Sequence, residues 1–112
     1  MKNLRNKVML IGNLGTDPEV TEFNNGKKKA KFRVATTDFY KDLNGNRKEE
    51  TQWHNVVAWD GLANIVQKYV KKGREVAIEG KLIHRSYEAT DGSKRYVTEI
   101  VANDLVMLRG AQ

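Results

Sequence analysis

A single apolar stripe at helical spacing, set in a chain whose other apolar residues alternate, narrows the choice of fold more than any other feature of these 112 residues. Leu62, Ile65, Val66, Tyr69 and Val70 stand at i, i+3, i+4, i+7 and i+8, one face of an amphipathic helix. Asp60 is placed to cap its start, Lys71 and Lys72 suit the negative end of its dipole, and Gly73 supplies a left-handed stop. Upstream the period is two. Val8 to Ile11 runs as a short apolar strand into Gly12-Asn13-Leu14-Gly15, whose glycines permit a bend or bulge. Asp17-Pro18 turns the chain, a brief strand-like stretch follows over Val20 to Phe23, and Asn24-Asn25-Gly26 turns it again. Lys28 to Tyr40 then alternates, with Ala30, Phe32, Val34 and Thr36 on one side and Lys31, Arg33, Ala35 and Thr37 on the other. A polar loop over residues 42–48 separates it from Thr51 to Trp59, a third strand rich in β-branched and aromatic residues.

Downstream of the helix, Val76, Ile78, Gly80 and Leu82 restart the period of two. Thr90-Asp91-Gly92-Ser93 signals a hairpin, Tyr96 to Ala102 returns as the last strand, and Leu105 to Leu108 extends the sheet. One helix is too few to cover a parallel sheet, whereas closing five strands on themselves removes every exposed edge. The pattern therefore predicts an all-β fold, a five-stranded barrel of the oligonucleotide-binding (OB) type, with one α-helix between strands three and four. Residues 1–112 form one domain, long enough to build a core without disulfide or metal staples.

The chain has no cysteine, which excludes disulfide frameworks, thiolate zinc sites and cysteine nucleophiles. Its longest apolar runs hold four residues, far short of a membrane span or a signal-peptide core, so the expectation is a soluble cytoplasmic protein. Catalysis finds no support. His54 and His84 stand 30 residues apart and in no ligand spacing, no nucleotide-loop, hydrolase-elbow or metalloprotease motif occurs, and the carboxylates are scattered. Neither an enzyme nor a cofactor or metal site is expected.

Twenty Lys and Arg against fourteen Asp and Glu leave a net charge of +6, which favours a polyanionic partner. Aromatic residues interleave with these cations on the strands: Tyr40 follows Lys31 and Arg33, Trp53 and Trp59 share one strand, Arg85 precedes Tyr87, and Arg95 precedes Tyr96. Binding of unpaired nucleic acid needs that mixture, since flat rings stack on bases and cations track phosphates. Trp53 and Trp59, six apart, fall on one face. The pattern divides evenly between a stacking surface and a core face for them, because Val57 between them could mark that face as buried. Tyr40 falls on the side of Phe32 and Val34, so it either lies beyond the barrel rim or follows a bulge. Lys31, Arg33, Lys41, Lys48, Arg74 and Arg85 are the candidate phosphate contacts.

Three stretches together resemble the bacterial single-stranded DNA-binding protein (SSB) family over essentially the whole DNA-binding domain. They are Asn6-Lys7-Val8 through Gly12-Asn13-Leu14-Gly15 with Asp17-Pro18-Glu19-Val20; Thr51-Gln52-Trp53-His54-Asn55-Val56-Val57; and Tyr69-Val70-Lys71-Lys72-Gly73 running into Val76 to Gly80. The resemblance implies an OB-fold protein that assembles as a homotetramer and binds single-stranded DNA without sequence preference during replication, recombination and repair, hence a nucleoid-associated one. It places base-stacking residues at Trp53, Trp59, Tyr40 and Tyr87, with tyrosine at two positions where the family carries tryptophan, and a subunit contact at His54. The family continues into a flexible linker and an acidic tip that recruits replication and repair proteins. This sequence ends at Gln112 with neither, so recruitment of such partners is in doubt while DNA binding is not. An alternative is a tail-less interaction module of a primosome or conjugation complex, which would have no need of four aromatic positions. RNA binding is a third reading, and nothing in the sequence reads a 2′-hydroxyl.

Overall fold

The computed structural model describes residues 4–108. Six strands and one helix follow in the order β1 (Val8–Leu14), β2 (Glu19–Glu22), β3 (Lys28–Lys41), β4 (Arg47–Trp59), α1 (Asp60–Tyr69), β5 (Glu75–Glu88) and β6 (Lys94–Met107). Pairing runs β1-β5-β6-β4-β3-β2, and β1 also pairs with β3. That last ladder closes β1, β5, β6, β4 and β3 into a five-stranded barrel, with the helix between its third and fourth strands. β2 is the brief stretch after Pro18. It borrows the other end of β3, pairing Glu19 with Lys31 through Glu22 with Lys28, while β1 pairs Leu14 with Val34. β1 and β2 are thus one edge, interrupted where proline cannot donate to a ladder.

Alternation along the strands sends Ala30, Phe32 and Val34 of β3, Val56 and Ala58 of β4, Val76 and Ile78 of β5 and Ile100 and Ala102 of β6 into the barrel. The helix plugs it with Ala63 and Val66, and Val70 just past its end joins them. This turns the expected stripe. Leu62, Val66 and Val70 do pack inward, but Ile65 and Tyr69 are exposed and the small Ala63 takes the central place. The reason is space: Ala30, Ala58 and Ala63 are all fully buried, so the end of the barrel under the helix admits only small side chains.

The helix ends also differ from the sequence expectation. β4 passes into α1 without a loop; Trp59 is the N-cap residue and makes no side-chain cap, while Asp60 is the first helical residue, with φ 51°. Its Oδ1 accepts instead from the backbone N–H of Lys28 at 3.2 Å, tying the helix start to β3. At the other end the helix stops at Tyr69, capped by Val70 in extended conformation. Gly73, at φ 88°, turns the chain toward β5 and donates its N–H to the Leu14 carbonyl.

Two hairpins project past the rim, and the molecule measures 56 × 39 × 33 Å. In the β3–β4 arm the expected polar loop is shortened by its last two residues, Arg47 and Lys48, which are strand: residues 42–46 turn, held by Asp42 Oδ1, which accepts from the N–H groups of Asn44 and Asn46 at 2.9 Å. In the barrel itself the expected extension from Leu105 belongs to β6. Glu79 pairs with Asp104 and Gly80 with Ala102, so Asn103 is an extra residue, and the bulge resets the alternation.

Candidate nucleic-acid interface

The alternation that buries Phe32 and Val34 turns Lys31 and Arg33 outward on β3, and on β4 it turns Trp53 and Trp59 to the same outer face. Register sets the neighbours: Trp59 lies opposite Lys29, Val57 opposite Lys31, Asn55 opposite Arg33, and Trp53 opposite Ala35. Cations therefore sit beside both rings. The Arg33 guanidinium is 4.9 Å from the Trp53 ring centre and the Lys29 ammonium 5.8 Å from that of Trp59. Trp53 is 49% exposed and Trp59 38%, although Val57 between them is buried. Val57 is flanked by Lys31 on β3 and Val101 on β6, so burial in mid-strand does not carry over to rings nearer the ends.

Local structure holds each ring in place. Gly15 passes so close beneath Trp53 that a Cβ there would stand 2.3 Å from the ring, so only glycine leaves room for it. Trp59 stacks on Phe23 from the β2–β3 turn, with ring centres 6.0 Å apart and planes at 24°.

The β3–β4 arm carries aromatic residues on both sides. β3 and β4 pair in one unbroken register from Lys29 opposite Trp59 to Lys41 opposite Arg47, so no bulge intervenes before Tyr40. Tyr40 stays on the side of Phe32 and Val34 and is exposed because it lies past the rim. Phe39 takes the side of Trp53 instead, 55% exposed, with the Arg47 guanidinium 4.3 Å from its ring centre. Phe39, on the side of Trp53, and Phe23, stacked on Trp59, join the candidate face and were missed by sequence reasoning. Phe39 shares the odd-numbered alternation of Lys31 and Arg33, which could have signalled it; the place of Phe23 depends on a turn.

Tyr87 is exposed on the β5–β6 arm, opposite Arg95 and two residues from Arg85. Tyr96 is exposed on the other side of that arm, beside Lys94.

The six candidate cations are not equivalent. Lys31 and Arg33 share the face of the tryptophans. Lys41 lies near the tip of its arm, and Lys48, opposite Tyr40, is 3.9 Å from Asp42. Arg74 stands apart, in the turn between helix and β5, and its Nε is buried without a partner. Arg85 is committed to Glu99 by two hydrogen bonds of 2.8 and 3.1 Å. That pair holds the Glu99 carboxyl below the usual carboxylate range against the opposing effect of its burial.

His54 is half-buried on the inward side of β4, opposite Val34, with Nε2 2.9 Å from the Thr36 hydroxyl. His84 pairs with Thr98 in the same way at 2.9 Å. Among the described residues no group of three or more His, Cys, Asp or Glu is arranged to hold a metal ion, and no helix is long and apolar enough to cross a membrane.

A closed five-stranded barrel, plugged by one helix after its third strand and bearing exposed aromatic residues among cations, defines an OB-fold protein. The chain belongs to the single-strand binding protein family, whose model matches residues 5–108. It is 51% identical over 104 residues to single-stranded DNA-binding protein 1 of Chlorobaculum tepidum, covering 92% of this chain and 64% of that one. With single-stranded DNA-binding protein 1 of Xylella fastidiosa it shares 46% identity over 92% of this chain and 76% of the other. The chain thus spans just under two thirds of the Chlorobaculum relative. Among solved structures, the Plasmodium falciparum SSB complex with ssDNA superposes with a TM-score of 0.85 at 35% identity, covering 97% of this chain and 99% of that one.

Proposed function

We propose that this barrel binds single-stranded DNA without sequence preference and protects it during replication, recombination and repair, acting by binding and not by catalysis. One observation carries the reading: Trp53 and Trp59 lie exposed on one outer face with Lys29, Lys31 and Arg33 between and beside them. A base has a flat face whatever its identity, so stacking on such rings is indifferent to sequence, and the cations meet the phosphates. Tyr40 and Tyr87 on the two arms extend the stacking set, and Phe39 adds to it. The relatives named above support the same reading, since they are single-stranded DNA-binding proteins and a complex with ssDNA. The protein works in the cytoplasm, on nucleoid DNA.

Self-association into a homotetramer belongs to this reading. It is supported by the outer face of β1, β5 and β6, where Met9, Ile11 and Val106 are exposed around Ala77. His54 is the further subunit contact that family resemblance implies.

Titration with oligo-dT, read by tryptophan fluorescence at two salt concentrations beside a duplex control, tests the reading. Single strands should quench the tryptophans and bind more tightly than duplex, whose bases are hidden. Equal affinity for both would remove stacking as the mechanism.

A further inference from the structure

Glu99 stands on the outward side of β6 within the cationic face, yet among the described residues it is the one charged side chain that the fold buries, with 5% of its surface exposed. Ile83 lies directly across on β5, so the carboxylate reaches diagonally to Arg85. Arg85 Nε–H donates to Oε1 at 2.8 Å and Nη2 to Oε2 at 3.1 Å, a bidentate pair that meets both carboxylate oxygens with the planar fork. Lys29 and Lys31 lie close enough for their charges to act on the same carboxylate. A negative charge here opposes binding of a polyanion, and a buried one is hard to displace, because breaking the pair would leave a charge desolvated and unpartnered.

We propose that Glu99 is a positioning residue that restrains the grip of this face on DNA, by holding Arg85 in a neutral pair and so withdrawing one cation from the phosphates. Arg85 keeps free N–H groups, but the pair as a whole carries no net charge. It neutralises no phosphate and releases no counterion, and strand binding stays easier to reverse. The inference rests on the single-strand reading above and deepens it.

Glu99→Gln keeps the shape and an acceptor for Arg85 while removing the charge. In oligo-dT titrations over a salt series it should bind more tightly than the wild type at low salt. The slope of log K against log salt should steepen by about 0.7, the value of one added phosphate contact on a single strand. Adding Arg85→Gln to that variant should return the slope to the wild-type value. An unchanged slope, weaker binding, or a gain that survives Arg85→Gln would overturn the proposal. Should Glu99→Gln not fold, the wild type decides: the Arg85 Nε–H resonance should stay in place on saturation with oligo-dT, and its displacement would show the guanidinium leaving Glu99 for phosphate. Failure of the wild type to bind oligo-dT at all would bring down the single-strand reading, and this inference with it; binding by the wild type with no change in slope brings down this inference alone.

Discussion

Trp53 and Phe32 show how a single residue's role follows from the side of the strand it occupies. Phe32 points into the barrel and is 2% exposed, so Phe32→Ala should lower folding stability by about 3 to 5 kcal/mol through lost burial and the cavity left behind. Trp53 and Trp59 point out, and each change to Ala should weaken oligo-dT binding by about 1 to 3 kcal/mol with little effect on the thermal midpoint. Thermal melts beside titrations of the three variants separate the cases, and a Trp53→Ala protein that melts early but binds normally would refute the assignment. Glu99 adds a pH dependence. Its carboxyl is held below its ordinary value in the folded state, so the ion pair's stabilisation is complete above the ordinary glutamate range and is lost as pH falls through the depressed value. Acid unfolding of Glu99→Gln should accordingly begin from a lower stability plateau and fall less steeply in that window, as followed by circular dichroism.

At the scale of elements, the two arms extend the barrel's outer face beyond its rim. A two-stranded arm has no core of its own, so both of its sides meet solvent and side chains there can be changed without disturbing packing. Phe39→Ala should weaken oligo-dT binding by about 1 to 3 kcal/mol while leaving the melting temperature unmoved, and unaltered affinity would remove Phe39 from the site. The helix presents the opposite case. Val66→Ala should destabilise by about 1.5 to 3 kcal/mol in denaturant titration, whereas Ile65→Ala, on the exposed side, should stay within about 0.5 kcal/mol. The apolar periodicity located this helix but left its rotation undetermined, since Ile65 and Tyr69 satisfy the spacing as well as Ala63 does. Choosing among them took the dimensions of the barrel end.

For the whole molecule, two surfaces have separate chemistry: the aromatic and basic face over β3 and β4, and the apolar face over β1, β5 and β6. Binding through the first should weaken with salt, log K falling by roughly 0.7 per phosphate contact against log salt in fluorescence titrations. Assembly through the second should fail when a charge is placed in it. Ile11, 62% exposed, tolerates Ile11→Glu in the monomer fold, so the expected result in light scattering is a lower mass at unchanged melting behaviour of the barrel. A mass equal to that of the wild type at high dilution would exclude this face from the interface.

What the sequence determined by itself is whatever depends on local periodicity. Alternation over residues 28–40 and 51–59, one helical stripe and two further strands were enough for the barrel and the helix's place in it, and Tyr40's position past the rim was one of the two options that alternation left. The exposure of Trp53 and Trp59 was beyond it, because alternation assigns a face but not what covers that face. Val57 shares their side and is buried, and only the pairing of β4 with β6 beside it decides where the cover ends. The contacts of Phe23 with Trp59, Gly15 with Trp53 and Arg85 with Glu99 join residues 36, 38 and 14 positions apart in the chain. Such contacts depend on strand register and barrel closure, quantities set by packing the whole chain at once and carried by no single stretch of it.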